Sequence, residues 1–131
     1  MIPNMPSYLS DLPVYKKAMD IIDLSRSIST YLCYDLAYLT PSGIEDSHIY
    51  FSGDIVQQSI SLAPEIINAE RERFSDNKHK HVATIDRLTN LLHKNCKRLE
   101  HSNSNGKDYI PILRSELKKF KKIQQHWMLT L

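Results

Sequence analysis

The sequence predicts an all-α protein, an antiparallel up-and-down four-helix bundle. Three observations predict it. Apolar residues recur at three-to-four spacing in four separate segments, no segment alternates with the period of two that a strand needs, and the breaks between segments are short and rich in Pro, Gly, Ser and Asn. Amphipathic helices on short connectors bury their apolar stripes most simply against one another. A chain of 131 residues makes one domain, spanning 1–131, and can enclose a core without disulfides or metals.

The elements follow in order. Residues 1–10 read as an irregular arm because Pro3 and Pro6 limit helix. Ser10 or Asp11 caps a first helix that tolerates Pro13 in its first turn. Val14, Ala18, Ile21, Ser25, Ile28, Leu32 and Leu36 form its stripe, with Ile22 and Leu39 beside them. It stops near Thr40-Pro41-Ser42-Gly43, since Pro41 disfavours helix in the residue before it. Ser42 and Glu45 have capping-box spacing for a second helix, clear by Ile49. Its paired apolar positions, Ile55/Val56, Ser59/Ile60, Leu62/Ala63 and Ile66/Ile67, predict contact on two sides. Pro64 predicts a kink near Ile60 rather than a break, and the helix ends near Arg73-Phe74. Ser75-Asp76-Asn77 offers caps for a third helix with Val82, Ile85, Leu88, Leu92, Cys96 and Leu99 on one face. Ser102-Asn103-Ser104-Asn105-Gly106 is the one strongly loop-like stretch. The fourth helix carries the heptad seam Ile110, Leu113, Leu117, Phe120, Gln124, Trp127 and Leu131, with Pro111 confined to its first turn.

Charge is segregated along this chain. Residues 1–70 carry three Lys/Arg against nine Asp/Glu, a balance of −6, while residues 71–131 carry fourteen against six, a balance of +8. Five of the six His also lie in the second stretch. Such polarity predicts a surface that attracts polyanions, or one that meets the acidic half of another copy. Apolar residues at 41 % and charged residues at 24 % are ordinary for a globular domain. Cys33 and Cys96 lie far apart without metal-type spacing, which predicts reduced thiols and a cytoplasmic setting. No run approaches the ~18 apolar residues of a membrane span, and the start at Met1 has neither a basic nor an apolar leader region, so neither a membrane nor a signal peptide is expected.

The basic residues form stripes. On the third helix Lys80, Arg87, Lys94, Arg98 and His101 step by three, four or seven, with Lys97 alongside. On the fourth, Arg114, Lys118, Lys122 and Gln125 form another, widened by Lys119 and Lys121. In an up-and-down bundle these helices are neighbours, so the stripes merge into one field for phosphates. A charged outer face is also what any helix needs for solvation. Tyr109, Phe120 and Trp127 read as core or seam residues rather than as stacking platforms, which favours recognition of backbone or duplex shape over base stacking.

No catalytic constellation stands out. Glu45-x-x-His48 has the spacing of di-iron bundles but lacks the second pair and reads as a capping turn. His79-Lys80-His81 places two imidazoles at i, i+2, which do not share a helical face, and reads as a solvated turn. Arg87-x5-His93 has the Arg-x4–6-His spacing of HEPN-type all-α ribonucleases, in which an Arg and a His stabilise an oxyanion and move a proton. Arg73-x5-His79 matches as well, which weakens the signal. No Gly-rich phosphate loop or nucleophile elbow is present. The expectation is a chain without metal, cofactor or enzymatic activity, with a ribonuclease as an alternative.

The opening Leu12-Pro13-Val14-Tyr15-Lys16-Lys17-Ala18 resembles the Leu-x-Val-Tyr-x-x-Ala start of the four-helix-bundle family that includes the proteins encoded by intervening sequences in 23S rRNA genes. The Ser-Ile-Pro-x-Asn-Ile-Ala-Glu-Gly stretch of that branch survives here only as Ser59-Ile60. Ile66-Ile67-Asn68-Ala69-Glu70, then Ile85-Asp86-Arg87-Leu88-Thr89-Asn90-Leu91-Leu92, then Trp127 are more similar to the related Avd proteins, the accessory variability determinants of diversity-generating retroelements. The likeness spans about residues 12–131. It implies a barrel-like homopentamer with a basic surface that binds RNA or DNA and a reverse transcriptase, without catalysis of its own. It also implies that the binding surface comprises Lys80, Arg87, Lys94, Lys97, Arg98, Arg114, Lys118, Lys119, Lys121 and Lys122. The rival reading is a homo-oligomeric scaffold whose basic field meets protein only.

Overall fold

A computed structural model describes residues 7–37, 43 and 46–131, and among these every regular element is helical. The α-helices are α1 (Ser7–Ser10), α2 (Pro13–Asp35), α3 (Ser47–Ile60), α4 (Leu62–Arg71), α5 (Ser75–Leu99) and α6 (Ile110–Met128), with a 3-10 turn over Asn105–Tyr109 before α6. No described helix is long and apolar enough to cross a membrane.

Most of the predicted stripe residues are buried, but Ile60 is exposed and Val56, Leu88 and Leu131 are only part-buried. Val14, Ala18, Ile21, Ile28 and Leu32 of α2, Ile85, Leu92, Cys96 and Leu99 of α5, and Leu113, Leu117 and Phe120 of α6 share a single core with Ile55, Leu62 and Ile66. Pro13 and Pro111 sit in first turns, where the missing N–H costs no helical bond. At the expected kink, Ile60 ends α3 and Leu62 begins α4. Ser61 keeps helical angles (φ −77°, ψ −14°) and its N–H still reaches the Gln57 carbonyl at 3.2 Å. Pro64 has no N–H to offer the Ile60 carbonyl, so the ladder is interrupted there and the chain bends.

Several boundaries differ from the sequence reading. The arm is not irregular throughout, because Ser7–Ser10 forms a helical turn and Leu9 is wholly buried. The first residue before α2 is Leu12, without a side-chain cap bond, so neither Ser10 nor Asp11 plays that role. Helix α2 ends at Asp35, earlier than Pro41 requires. Leu39, Thr40, Pro41, Ser42 and Glu45 lie outside the described residues, and with them the Ser42–Glu45 capping box. Gly43 has φ +79°, a conformation glycine adopts at little cost. The residue that caps α3 is Asp46. Its Oδ1 accepts the His48 backbone N–H at 2.9 Å and the His48 Nδ1–H at 2.8 Å. Helix α4 ends at Arg71, where Glu72 turns extended and accepts the N–H groups of Arg73 and Phe74. None of Ser75, Asp76 and Asn77 caps α5, which follows Phe74.

Hydrogen-bonded pairs fix how the helices run. Ser25–Ser59 and Ser29–Ser52 set α2 and α3 in opposite directions. Gln58–Asn95 and Glu65–His81 do the same for α3 and α4 against α5. Asp86–Gln124 and Glu100–Arg114 do it for α5 against α6. Tyr31–Tyr109 and Lys17–Glu116 bring α6 back to α2. The α2–α3 seam is lined by small polar side chains. Ser59 gives its only proton to the Ile55 carbonyl at 2.6 Å, so Ser25 is the donor in the 2.8 Å bond between them. Short side chains there let the two backbones approach closely.

The segment 102–106 is not an open loop. Ser102, Ser104 and Gly106 are buried, the last two against α2. Ser104 Oγ donates to Asp35 Oδ2 at 2.6 Å and accepts the Gly106 N–H at 3.0 Å. Tyr109, read as a core residue, is 46 % exposed and leans on Tyr31 with ring centroids 5.9 Å apart. Phe120 and Trp127 are buried as expected, and Trp127 Nε1–H donates to Glu70 at 2.6 Å across to α4.

Candidate nucleic-acid interface

Among the described residues, helices α5 and α6 are the long elements richest in Lys and Arg, and they pack side by side. Their outer faces carry the ten predicted contact residues. Lys80, Arg87, Lys94, Lys97 and Arg98 of α5 are exposed, as are Lys118, Lys119, Lys121 and Lys122 of α6, whereas Arg114 is half-buried. The structure divides this set into three groups.

The first group converges on the seam between α5 and α6. His93 is half-buried on α5, one turn before Lys97. Burial first, and then the positive charges of Lys121, Arg114, Lys118 and Lys97, push its imidazole below the usual range. These charges come from both helices, one from α5 and three from α6. Arg114 is partly neutralised by an ion pair with Glu100. Pro111, Arg114, Ser115 and Lys118 line a shallow recess of about 300 Å³ beside it. His93 was not among the predicted contact residues. On its own helix only Lys97, one turn on, hints at it, because the other charges that act on it come from α6.

The second group lies along outer surface. Lys80, Arg87, Lys94 and Lys122 are exposed and make no ion pair among the described residues. The third group is drawn away. Lys119 turns to the α2 side, where Glu116 accepts from Lys119 at 3.3 Å and from Lys17 at 2.7 Å. The Lys17 hydrogen bond holds the Glu116 carboxyl below its usual range, and the same bond raises Lys17. Arg98 leans to the other side of α5, onto Phe51 of α3.

The remaining candidates fall as follows. Glu45 lies outside the described residues, and its partner His48 is held by Asp46. His81 is not solvated. It is half-buried and its Nδ1–H donates to Glu65 at 2.7 Å, tying α5 to α4. Its neighbour His79 is exposed. Among the described residues no three His, Cys, Asp or Glu side chains gather as a metal ion would require. Arg87 and His93 are six residues apart, which on a helix is about 9 Å along the axis and about 120° around it. Arg87 points outward while His93 faces the α6 seam.

Compared with family models, curated proteins and solved structures, the chain matches none.

Proposed function

We propose that this chain is a non-enzymatic nucleic-acid-binding accessory protein of the Avd kind. In this reading it is a four-helix bundle whose second arm is the bent α3–α4 pair, assembled as a ring-like homo-oligomer, a pentamer by resemblance, in the cytoplasm. It binds RNA or DNA through the backbone phosphates and serves a reverse transcriptase. The antiparallel contacts of α2, α3–α4, α5 and α6 support the bundle. The observation that carries the function is the basic field on the neighbouring helices α5 and α6, where nine of the ten predicted Lys and Arg residues are exposed. Like charges gathered on neighbouring helices repel one another, and a polyanion relieves that repulsion while releasing its own counterions.

The test is a salt titration. A short labelled RNA strand and a DNA duplex are bound by the native protein and by Lys97→Gln/Lys118→Gln/Lys121→Gln, with anisotropy read across salt concentration. Three lost phosphate contacts lower the slope of log affinity against log salt by about 2 on single strands and nearer 3 on duplex. Lys119→Gln is the control, because that lysine already serves Glu116, and it leaves the slope nearly unchanged. A native protein that fails to bind at low salt, or a triple variant with the native slope, overturns the proposal. RNA incubated with the native protein stays intact in this reading.

A scaffold without nucleic acid is favoured by a different observation. Tyr31, Tyr34, Tyr109 and Ile112 expose 40, 83, 46 and 51 % of their surface near the junction of α2 with the 3-10 turn and α6. Apolar surface of this kind suits a protein partner, including another copy. That scaffold gives an assembled mass in light scattering and no nucleic-acid shift at any salt.

A further inference from the structure

Lys97 and Arg98 are consecutive on α5 yet face different helices. Lys97 belongs to the α6 seam. Arg98 crosses to α3, where its Cζ lies 4.8 Å from the centroid of the Phe51 ring. Its Nη1–H donates to Asn95 Oδ1 at 3.1 Å. Asn95 is only 3 % exposed and is itself fixed, since its Nδ2–H donates to Gln58 Oε1 at 3.1 Å. The Phe51 ring is steadied in turn by His48, edge-on at 6.2 Å, and His48 is held by Asp46. Arg98 is thus restrained by an aromatic face below and a neutral amide at its side.

Its partners explain nothing about its charge. Arg114 spends its guanidinium on Glu100, but no carboxylate pairs with Arg98 among the described residues. A guanidinium has five N–H donors in a fixed plane, and one of them is used. The residue as a whole is exposed. A flat, restrained and unneutralised guanidinium matches two oxygens of one phosphate, and it loses little freedom when it binds them.

We infer that Arg98 is a preorganised phosphate site on the α3 side of α5, with Phe51, Asn95 and Gln58 as its positioning residues. The inference rests on the nucleic-acid reading above and specifies the path: the backbone leaves the α6 seam, crosses α5 at Lys94 and Lys97, and ends on Arg98. The ligand group is a backbone phosphodiester, recognised bidentately.

Three variants test it by anisotropy with the same labelled RNA strand across salt. Arg98→Lys keeps the charge and loses the fork and the stacked plane, so affinity falls several-fold with the native salt slope. Arg98→Gln loses the charge too, and the slope falls by about 0.7. Phe51→Leu leaves the arginine but frees it, and affinity falls about two- to twelvefold with the slope unchanged. A side chain with only a structural role would change melting temperature and leave the affinity of the folded protein, and the slope of Arg98→Gln, as in the native protein, so each variant is also melted. If the native protein binds and the triple lysine variant weakens it, while Arg98→Lys and Phe51→Leu bind as tightly as native, the Arg98 site is refuted and the seam stands. If the native protein does not bind, both fall together.

Discussion

Replacing Gly106 with alanine tests the packing of the 102–109 segment against α2. A Cβ there lies 2.9 Å from Tyr31 Cδ1, 3.2 Å from Ser104 Oγ and 3.3 Å from Leu32 Cδ2. Carbon atoms prefer about 3.5–4.0 Å, so the new methyl is too close to all its carbon neighbours. Tyr31 is part-exposed and can swing, but its ring leans on Tyr109. Leu32 is fully buried and cannot. Ser104 is held at both ends, by Asp35 and by the Gly106 N–H itself. Overpacking of this kind costs about 1–3 kcal/mol, and the stiffer unfolded chain returns about 0.4–1 kcal/mol. The net expectation is a loss of about 1–2 kcal/mol. Urea unfolding followed by circular dichroism reads it as a midpoint lowered by roughly 0.5–1 M at constant slope. Gly53→Ala is the internal contrast. It lies within α3 with nothing within 4 Å of an added Cβ, so it gains about 0.5–1 kcal/mol. In a Tyr31→Ala background the cost of Gly106→Ala shrinks, because the nearest obstacle is gone. A Gly106→Ala protein as stable as the parent refutes the packing argument.

Three other outcomes are expected. Asp46→Ala costs about 1 kcal/mol through loss of the α3 cap. The His48 backbone N–H holds the Asp46 carboxyl below its ordinary 3.8, so its stabilisation is present above that pH and is lost as pH falls through the folded value. Asp46→Asn removes this acid dependence in pH-resolved unfolding. His93, held below 6.5 by burial and then by its four cationic neighbours, binds fewer protons folded than unfolded. Its contribution is complete above pH 6.5 and declines as pH drops below it, and His93→Gln flattens that decline. Burial pushes the Cys96 thiol up to about 12, so iodoacetamide at mildly alkaline pH modifies Cys96 only in denaturant. Peptide mass mapping that finds Cys96 alkylated at the same rate in the folded protein contradicts its burial.

Much of this architecture is written locally. A stripe at 3.6-residue spacing needs only its own helix to be recognised, which is why Val14 to Leu32, Val82 to Leu99 and Ile110 to Trp127 are buried as their spacing predicts. Pro64 interrupts a helical ladder that continues on both sides of it, since its missing N–H is a covalent fact, whereas Pro13 and Pro111 stand in first turns where nothing is lost. The cap of α3 and the burial of Ser102, Ser104 and Gly106 were not legible in the same way. Polar and glycine residues at a chain break satisfy the rules for an open turn and for a packed one equally well, and Asp35 and Tyr31 of a distant helix decide between them.

The basic surface divides along the same line. The sequence by itself determined that the cations would gather on the last two helices and at what angle each would leave its axis. Only the tertiary structure decided what stands at that angle. Lys119 and Lys121 are two residues apart, about 200° around α6, so one meets Glu116 on the α2 side while the charge of the other acts on His93 of α5. Lys97 and Arg98 part in the same manner, toward α6 and toward Phe51 of α3. A helix fixes the direction of its side chains through its own hydrogen bonds, but the neighbour each one finds depends on which stripe the rest of the chain buries against it.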